Sequence, residues 1–169
     1  MAWTDPITWI FEQVWSATLF NQQIRDNLNY LKKKPIHRIV VTADQAIAVT
    51  SWTKITSTDL QIILDITGDL VFSINVEMFH SISNGTVSFD IWDVDNGVYL
   101  SSGTGTPQLR GLGAYDVTGT ANPNLANIQV VFEDIIAGTH NYEIFVKTSA
   151  ITLTLNHDNA LCYYAVWER

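Results

Sequence analysis

Thr86-Val87-Ser88-Phe89-Asp90-Ile91-Trp92-Asp93-Val94-Asp95-Asn96-Gly97-Val98-Tyr99-Leu100 is the stretch on which the fold turns. Val87, Phe89 and Ile91 alternate with Ser88, Asp90 and Trp92, the period of two that a strand with one buried face imposes. Asn96-Gly97 then stands between Ile91-Trp92 and Val98-Tyr99, a strong short-range hairpin signal. Two strands and a tight turn are thus predicted, with no helical spacing between them.

The same alternation extends in both directions. Strands are predicted near 36–42, 46–53, 60–66, 69–80, 86–93, 97–101, 109–116, 127–133, 139–147, 149–156 and 161–168. They are short and rich in Val, Ile, Thr and aromatic residues. Thr67-Gly68-Asp69, Asn84-Gly85 and Ala137-Gly138 supply further turns. Residues 101–125, with five glycines and two prolines, read as a long loop around one weak strand. Nearly a dozen strands with no helix among them predict a mainly β protein, an antiparallel jelly-roll-like sandwich.

Upstream of residue 36 the period is helical. Ser16 is a suitable N-cap, and Ala17, Asn21, Ile24, Leu28 and Leu31 follow 4-3-4-3 spacing. Asn21 falls at an a position, where a polar side chain sets register and oligomer state. Lys32, Lys33 and Lys34 suit the last turn, and Pro35 ends it. This span holds about two heptads, so two readings stand: an oligomerisation seam through Asn21, Ile24, Leu28 and Leu31, or an amphipathic helix lying on its own domain. Before it come Trp3, Trp9 and Trp15, evenly spaced, with Asp5-Pro6 breaking any earlier helix. Indoles this large are unfavourable in water. They dock either on the chain's own sandwich or on another subunit or protein. The chain therefore divides into an N-terminal arm and α-helix, 1–35, for anchoring and oligomerisation, and a β-sandwich domain, 36–169.

The net charge is −8. Residues 1–38 carry Arg25, Lys32, Lys33, Lys34 and Arg38 against Asp5, Glu12 and Asp26, a balance of +2 that leaves −10 on the rest. An acidic body argues against nucleic acid as the partner. The basic hinge is either a solvated helix end or a dock for an acidic surface. No apolar run is long enough for a membrane span, and the start lacks the basic, apolar build of a secretion signal. The chain reads as soluble and made in a reducing cytosol. Cys162, the single cysteine, excludes an internal disulfide and reads as a small buried hydrophobe.

Signals for chemistry are sparse. His37, His80, His140 and His157 have no ligand-type spacing except His157-Asp158. Asp90, Asp93, Asp95 and Asn96 crowd beside Gly97, but without EF-hand spacing, and a hairpin turn explains them. Ser102-Gly103-Thr104-Gly105-Thr106 is neither a nucleophile elbow nor a dinucleotide loop, and no P-loop is present. A sugar hydrolase would need two carboxylates across a cleft, for which only the Asp90–Asp95 cluster offers material. No enzyme activity and no cofactor or metal is expected. Trp52, Trp92 and Trp167 read as core or interface residues, with sugar stacking as the competing use.

One segment resembles a known group. Ser16-Ala17-x-x-x-Asn21-x-x-Ile24-Arg25-Asp26-Asn27-Leu28-x-x-Leu31, behind its tryptophan leader, is similar to the start of small tailed-bacteriophage virion proteins. Ala137-Gly138-Thr139-His140 followed by Tyr142, Ile144 and Val146 resembles a strand start in their β-rich bodies, and a final strand ending Val166-Trp167-Glu168 fits them. Ser16 in place of threonine and the absence of a glycine turn at Glu12–Trp15 depart from the pattern, and the middle of the chain matches none of it. The resemblance implies a virion structural protein, a head-decoration, head-fibre or tail-fibre component, commonly a homotrimer. The residues expected to anchor it to the major capsid protein are Trp3, Trp9, Trp15 and Lys32–Lys34, and the competing expectation is a fibre tip that reads a host glycan or surface protein.

Overall fold

The computed structural model describes residues 24, 36–41, 43–48, 50–80, 85–117, 124–149, 153–155 and 162–169. Among these are twelve strands: β1 (Ile36–Val41), β2 (Gln45–Ile47), β3 (Thr53–Lys54), β4 (Leu60–Leu64), β5 (Gly68–His80), β6 (Gly85–Asp93), β7 (Val98–Tyr99), β8 (Gly113–Val117), β9 (Asn124–Ile135), β10 (Gly138–Thr148), β11 (Leu153–Leu155) and β12 (Cys162–Glu168). All strand pairings are antiparallel, and they form two sheets.

The first sheet is built on β5, whose 13 residues pair with β12 and then β11 on one side and with β9 on the other. β1 and β2 extend it beyond β12 and β11. The second sheet is built on β10 and β6, with β3 and β4 along the free side of β10 and β7 and β8 along the free side of β6. Where two short strands pair along one partner they act as one interrupted ribbon. Counted so, the first sheet runs β1/β2, β11/β12, β5, β9, and the second runs β3/β4, β10, β6, β7/β8.

Alternation decides what lies between the sheets. Leu70, Phe72, Ile74, Val76 and Met78 of β5 face Val87, Phe89 and Ile91 of β6 and Tyr142, Ile144 and Val146 of β10 across one core. Phe72 meets the edges of Tyr142 at 4.8 Å and Phe132 at 5.7 Å between ring centroids. Each such side chain contributes about 1.5–3 kcal/mol when fully buried. Cys162 is buried as expected, and its Sγ accepts the Glu77 N–H at 3.2 Å.

Two predicted elements change form. The single strand expected over 46–53 is two, β2 in the first sheet and β3 in the second, because the chain crosses between sheets there. The Asn96-Gly97 hairpin exists, but its register pairs Asp93 with Val98, so four residues turn instead of two. Asp93 holds that turn: its carboxylate accepts Asn96 N–H and its carbonyl accepts Gly97 N–H, with Gly97 at φ 65°. Of the arm only Ile24 is described, helical and 43% exposed. Trp3, Trp9, Trp15, Asn21, Leu28, Leu31, Lys32, Lys33 and Lys34 lie outside the described residues, as does His157.

Candidate functional site

Two outward faces carry side chains that the core does not explain. On the first sheet, the register aligns Ile36 of β1, Trp167 of β12, Val71 of β5 and Val131 of β9 in one outward row. Ile36 is 66% exposed and Val131 43%. Val40 and Leu125 point the same way and are also exposed. Between them the face is polar. Arg38 lies over the Tyr163 ring at 4.6 Å, a cation–π contact. Ser73 and Asn75 hydrogen-bond the Tyr163 phenol and, with Arg38 nearby, pull its pKa down. The apolar row starts at Ile36, the residue that follows Pro35, so it lies where the arm joins the sandwich.

On the second sheet, the outward face of β6 is roofed by the segment 100–112. Leu100 N–H bonds Ile91 O at 2.8 Å and Leu112 N–H bonds Phe89 O at 2.8 Å, so the segment returns twice to the same strand. Beneath it Asp90 is fully buried although it points away from the core. Its Oδ2 accepts the Ser101 hydroxyl at 2.5 Å, and Oδ1 accepts Ile91 N–H at 2.8 Å and Ser101 N–H at 3.3 Å. Desolvation pushes its pKa up against these bonds. Beside it Trp92, Tyr99 and Phe145 pack edge to face, with centroids 4.7 Å apart for Trp92–Tyr99 and 5.4 Å for Tyr99–Phe145. Trp52 closes the cluster 6.3 Å from Tyr99. These indoles are half-buried and pack on Tyr99, with Trp92 also against Phe145 and Trp52 against Gly111 of the roof.

Lys54 stands at the margin of this face, donating to Asp59 at 2.6 Å and Glu143 at 2.7 Å. Both bonds raise its pKa, the one to Asp59 most. Being partly exposed, each pair is worth about 0–1 kcal/mol.

The turn carboxylates do not converge. Asp90 is held by Ser101, Asp93 by Asn96, and Asp95 by Asn141, whose N–H and side-chain amide reach it at 2.7 and 3.1 Å and lower its pKa. Among the described residues no group of three His, Cys, Asp or Glu could hold a metal ion. The described histidines are dispersed: His37 bonds Gln61, His80 faces Thr148, and His140 bonds Ile136 O. Sequence reasoning missed Asp90 as the anchor of the roof, since its alternation marks it as outward and gives no sign of what covers it. No helix among the described residues is long and apolar enough to cross a membrane.

No protein-family model matches the sequence, and no curated protein does. Solved structures similar in fold include a carbohydrate-binding module from Cellvibrio mixtus lichenase 5A in complex with cellotriose, 12% identical over 79% of this chain and 87% of that one, at a TM-score of 0.37. They also include the infectious bursal disease virus Gt strain, at 13% identity, 80% and 38% coverage and a TM-score of 0.43. T=1 particles derived from infectious bursal virus match at 14% identity, 79% and 35% coverage and a TM-score of 0.46. The chain spans little more than a third of these two viral chains. None of these likenesses carries a function to this chain.

Proposed function

We propose that this protein is a structural component of a tailed-bacteriophage virion, a homotrimer that decorates the capsid or forms a head fibre. The body is read as a jelly roll. With ribbons numbered along the chain, the first sheet has the order 1-8-3-6 and the second 2-7-4-5, the double Greek key of that fold. The observation that carries the assembly reading is the outward row of Ile36, Trp167, Val71 and Val131. Val71 is already buried within the single chain, but Ile36 and Val131 stay exposed at the two ends of the row and suit burial against a second copy. The row begins where the arm ends. Helices gathered along Asn21, Ile24, Leu28 and Leu31 would therefore bring the same row of each subunit to one axis. Trp3, Trp9, Trp15 and Lys32–Lys34 then face the major capsid protein, where three weak anchors multiply by trivalency. The protein would be made in the host cytoplasm and reside in the virion, with no role for nucleic acid, membrane, cofactor or catalysis.

Removing residues 1–15 tests the anchor. The truncated protein should keep its β circular dichroism and lose attachment to particles. Normal attachment by the truncated protein would remove the anchoring role. The mass of the intact oligomer by native mass spectrometry tests the trimer.

A second reading, a fibre tip that recognises a host glycan or surface protein, draws on the half-buried Trp52 and Trp92 beside the roof. Loss of binding on a glycan array with Trp52→Ala or Trp92→Ala would support it. Their shared packing on Tyr99 makes them better suited to holding the roof than to offering an open ring face.

A further inference from the structure

Residues 39–169 contain four cationic side chains of Lys and Arg: Lys54, Arg110, Lys147 and Arg169. Lys54 is engaged by two carboxylates and Arg169 ends the chain. Arg110 and Lys147 line one groove of about 220 Å³ on the outward face of the second sheet, at the end away from Trp92, together with Thr86, Ser88, Ser149 and Leu109. Neither makes an ion pair among the described residues, and no carboxylate lines the groove. In a body this acidic, two unpaired cations at one concavity make a local anion site.

The groove also carries hydroxyl groups positioned to bond. Lys147 lies opposite Ser88 in register, so the two project from the same face. Ser88 is only 5% exposed and lines the groove beside Lys147. Ser149 Oγ accepts the Thr86 N–H at 2.8 Å, which leaves its own proton to donate. The Thr86 hydroxyl is committed to Asp116 Oδ1 at 2.9 Å, at the rim. Leu109, 79% exposed, offers an apolar flank.

We propose that this groove binds an oxyanion carried on a sugar, the carboxylate of an acidic saccharide unit or the phosphate of a phosphorylated one. The charge is met by Arg110 and Lys147, and Ser88 and Ser149 donate to the oxyanion or an adjacent hydroxyl. Leu109 covers one C–H face of the ring. The cavity is smaller than the roughly 300–1,000 Å³ of drug-sized sites, so it takes one charged unit of a longer glycan. Nucleic acid is disfavoured because a polyphosphate backbone needs many cationic contacts, and the surrounding body repels it. The inference does not rest on the assembly reading, which concerns the other sheet and the arm.

Calorimetric titration of the full-length protein with glucuronate, glucose 6-phosphate, inorganic phosphate and glucose tests it. Saturable binding of glucuronate, glucose 6-phosphate or both, weakened by added salt, is expected, with glucose inert. Whichever of the two binds identifies the source of the oxyanion. Arg110→Ala and Lys147→Gln should each weaken binding about tenfold, while Lys147→Arg and the remote Lys54→Ala retain it. Both groove cations are solvent-accessible, and melting curves of the variants will confirm that the sandwich is intact. Three results would overturn the proposal: no saturation by either charged sugar, glucose or free phosphate binding as tightly as they do, or wild-type affinity in both loss variants.

Discussion

Asp90 and His80 are two buried ionisable side chains with opposite consequences for stability. Asp90 lies under the roof, and three donors hold it there. Asp90→Ala leaves those donors unmatched and should cost about 1–3 kcal/mol in urea denaturation. Asp90→Asn keeps an acceptor for both backbone N–H groups and should cost much less. Burial raises the folded pKa of Asp90 above its ordinary value of 3.8, so the fold favours the neutral acid. The stabilisation from that preference is complete below the unfolded value and is lost as pH rises through the folded one. The stability of the wild type relative to Asp90→Asn should therefore fall as pH is raised from acid towards neutrality. A flat difference across that range would mean that desolvation of Asp90 does not couple to folding. His80 behaves in reverse. It is buried, its Nδ1 has no partner, and desolvation lowers its pKa from 6.5. Its neutral form is favoured in the fold, so stability is complete above pH 6.5 and declines as pH drops from there through the folded value. His80→Gln should flatten that decline, read as the slope of denaturation midpoint against pH between neutrality and mild acid.

The roof over β6 depends on one backbone position. Gly111 sits at φ 57°, and a Cβ there would collide with Phe89 O and the Trp52 ring. Gly111→Ala should cost about 2–4 kcal/mol, from left-handed strain and steric overlap together, and should change the Trp fluorescence as Trp52 is displaced. An unaltered melting point and spectrum would show that the roof contributes little. Nothing in the sequence distinguished Gly111 from the other glycines of 101–125, because its constraint comes from Phe89 and Trp52, far away along the chain. The strands themselves were legible, because alternation is a local property: β5, β6, β10 and β12 fall within a residue or two of their predicted bounds. What alternation does not encode is the partner. Ile47 and Thr53 belong to one alternating run, yet Ile47 pairs with Leu153 in the first sheet and Thr53 with Val146 in the second. The break between β2 and β3 is a corner set by the packing of two sheets, and no residue there is a turn former strong enough to announce it.

At the scale of the whole molecule, the proposed assembly turns on which surface is free to be buried. The first sheet exposes Ile36 and Val131 at the two ends of one row, with Trp167 and Val71 between them. The second sheet has its outward face roofed by 100–112 or opened as a charged groove. Among the described residues only the first presents an aligned row with exposed apolar ends, and the row begins at Ile36, directly after Pro35 in the chain. Ile36→Lys and Val131→Lys separate assembly from folding. Both positions are exposed, so each change should shift the stability of an isolated subunit by no more than about 0.5 kcal/mol. If copies bury this row against one another, each lysine ammonium loses its water on assembly, and the double variant should run as a monomer in native mass spectrometry while retaining wild-type β circular dichroism. An unchanged oligomer mass would remove the sheet face from the interface. A shortened chain lacking residues 1–35 then assigns what is left. If it is monomeric while the lysine variant still assembles, the seam in the arm holds the subunits together by itself, and the row at Ile36 is left for a surface other than a second copy.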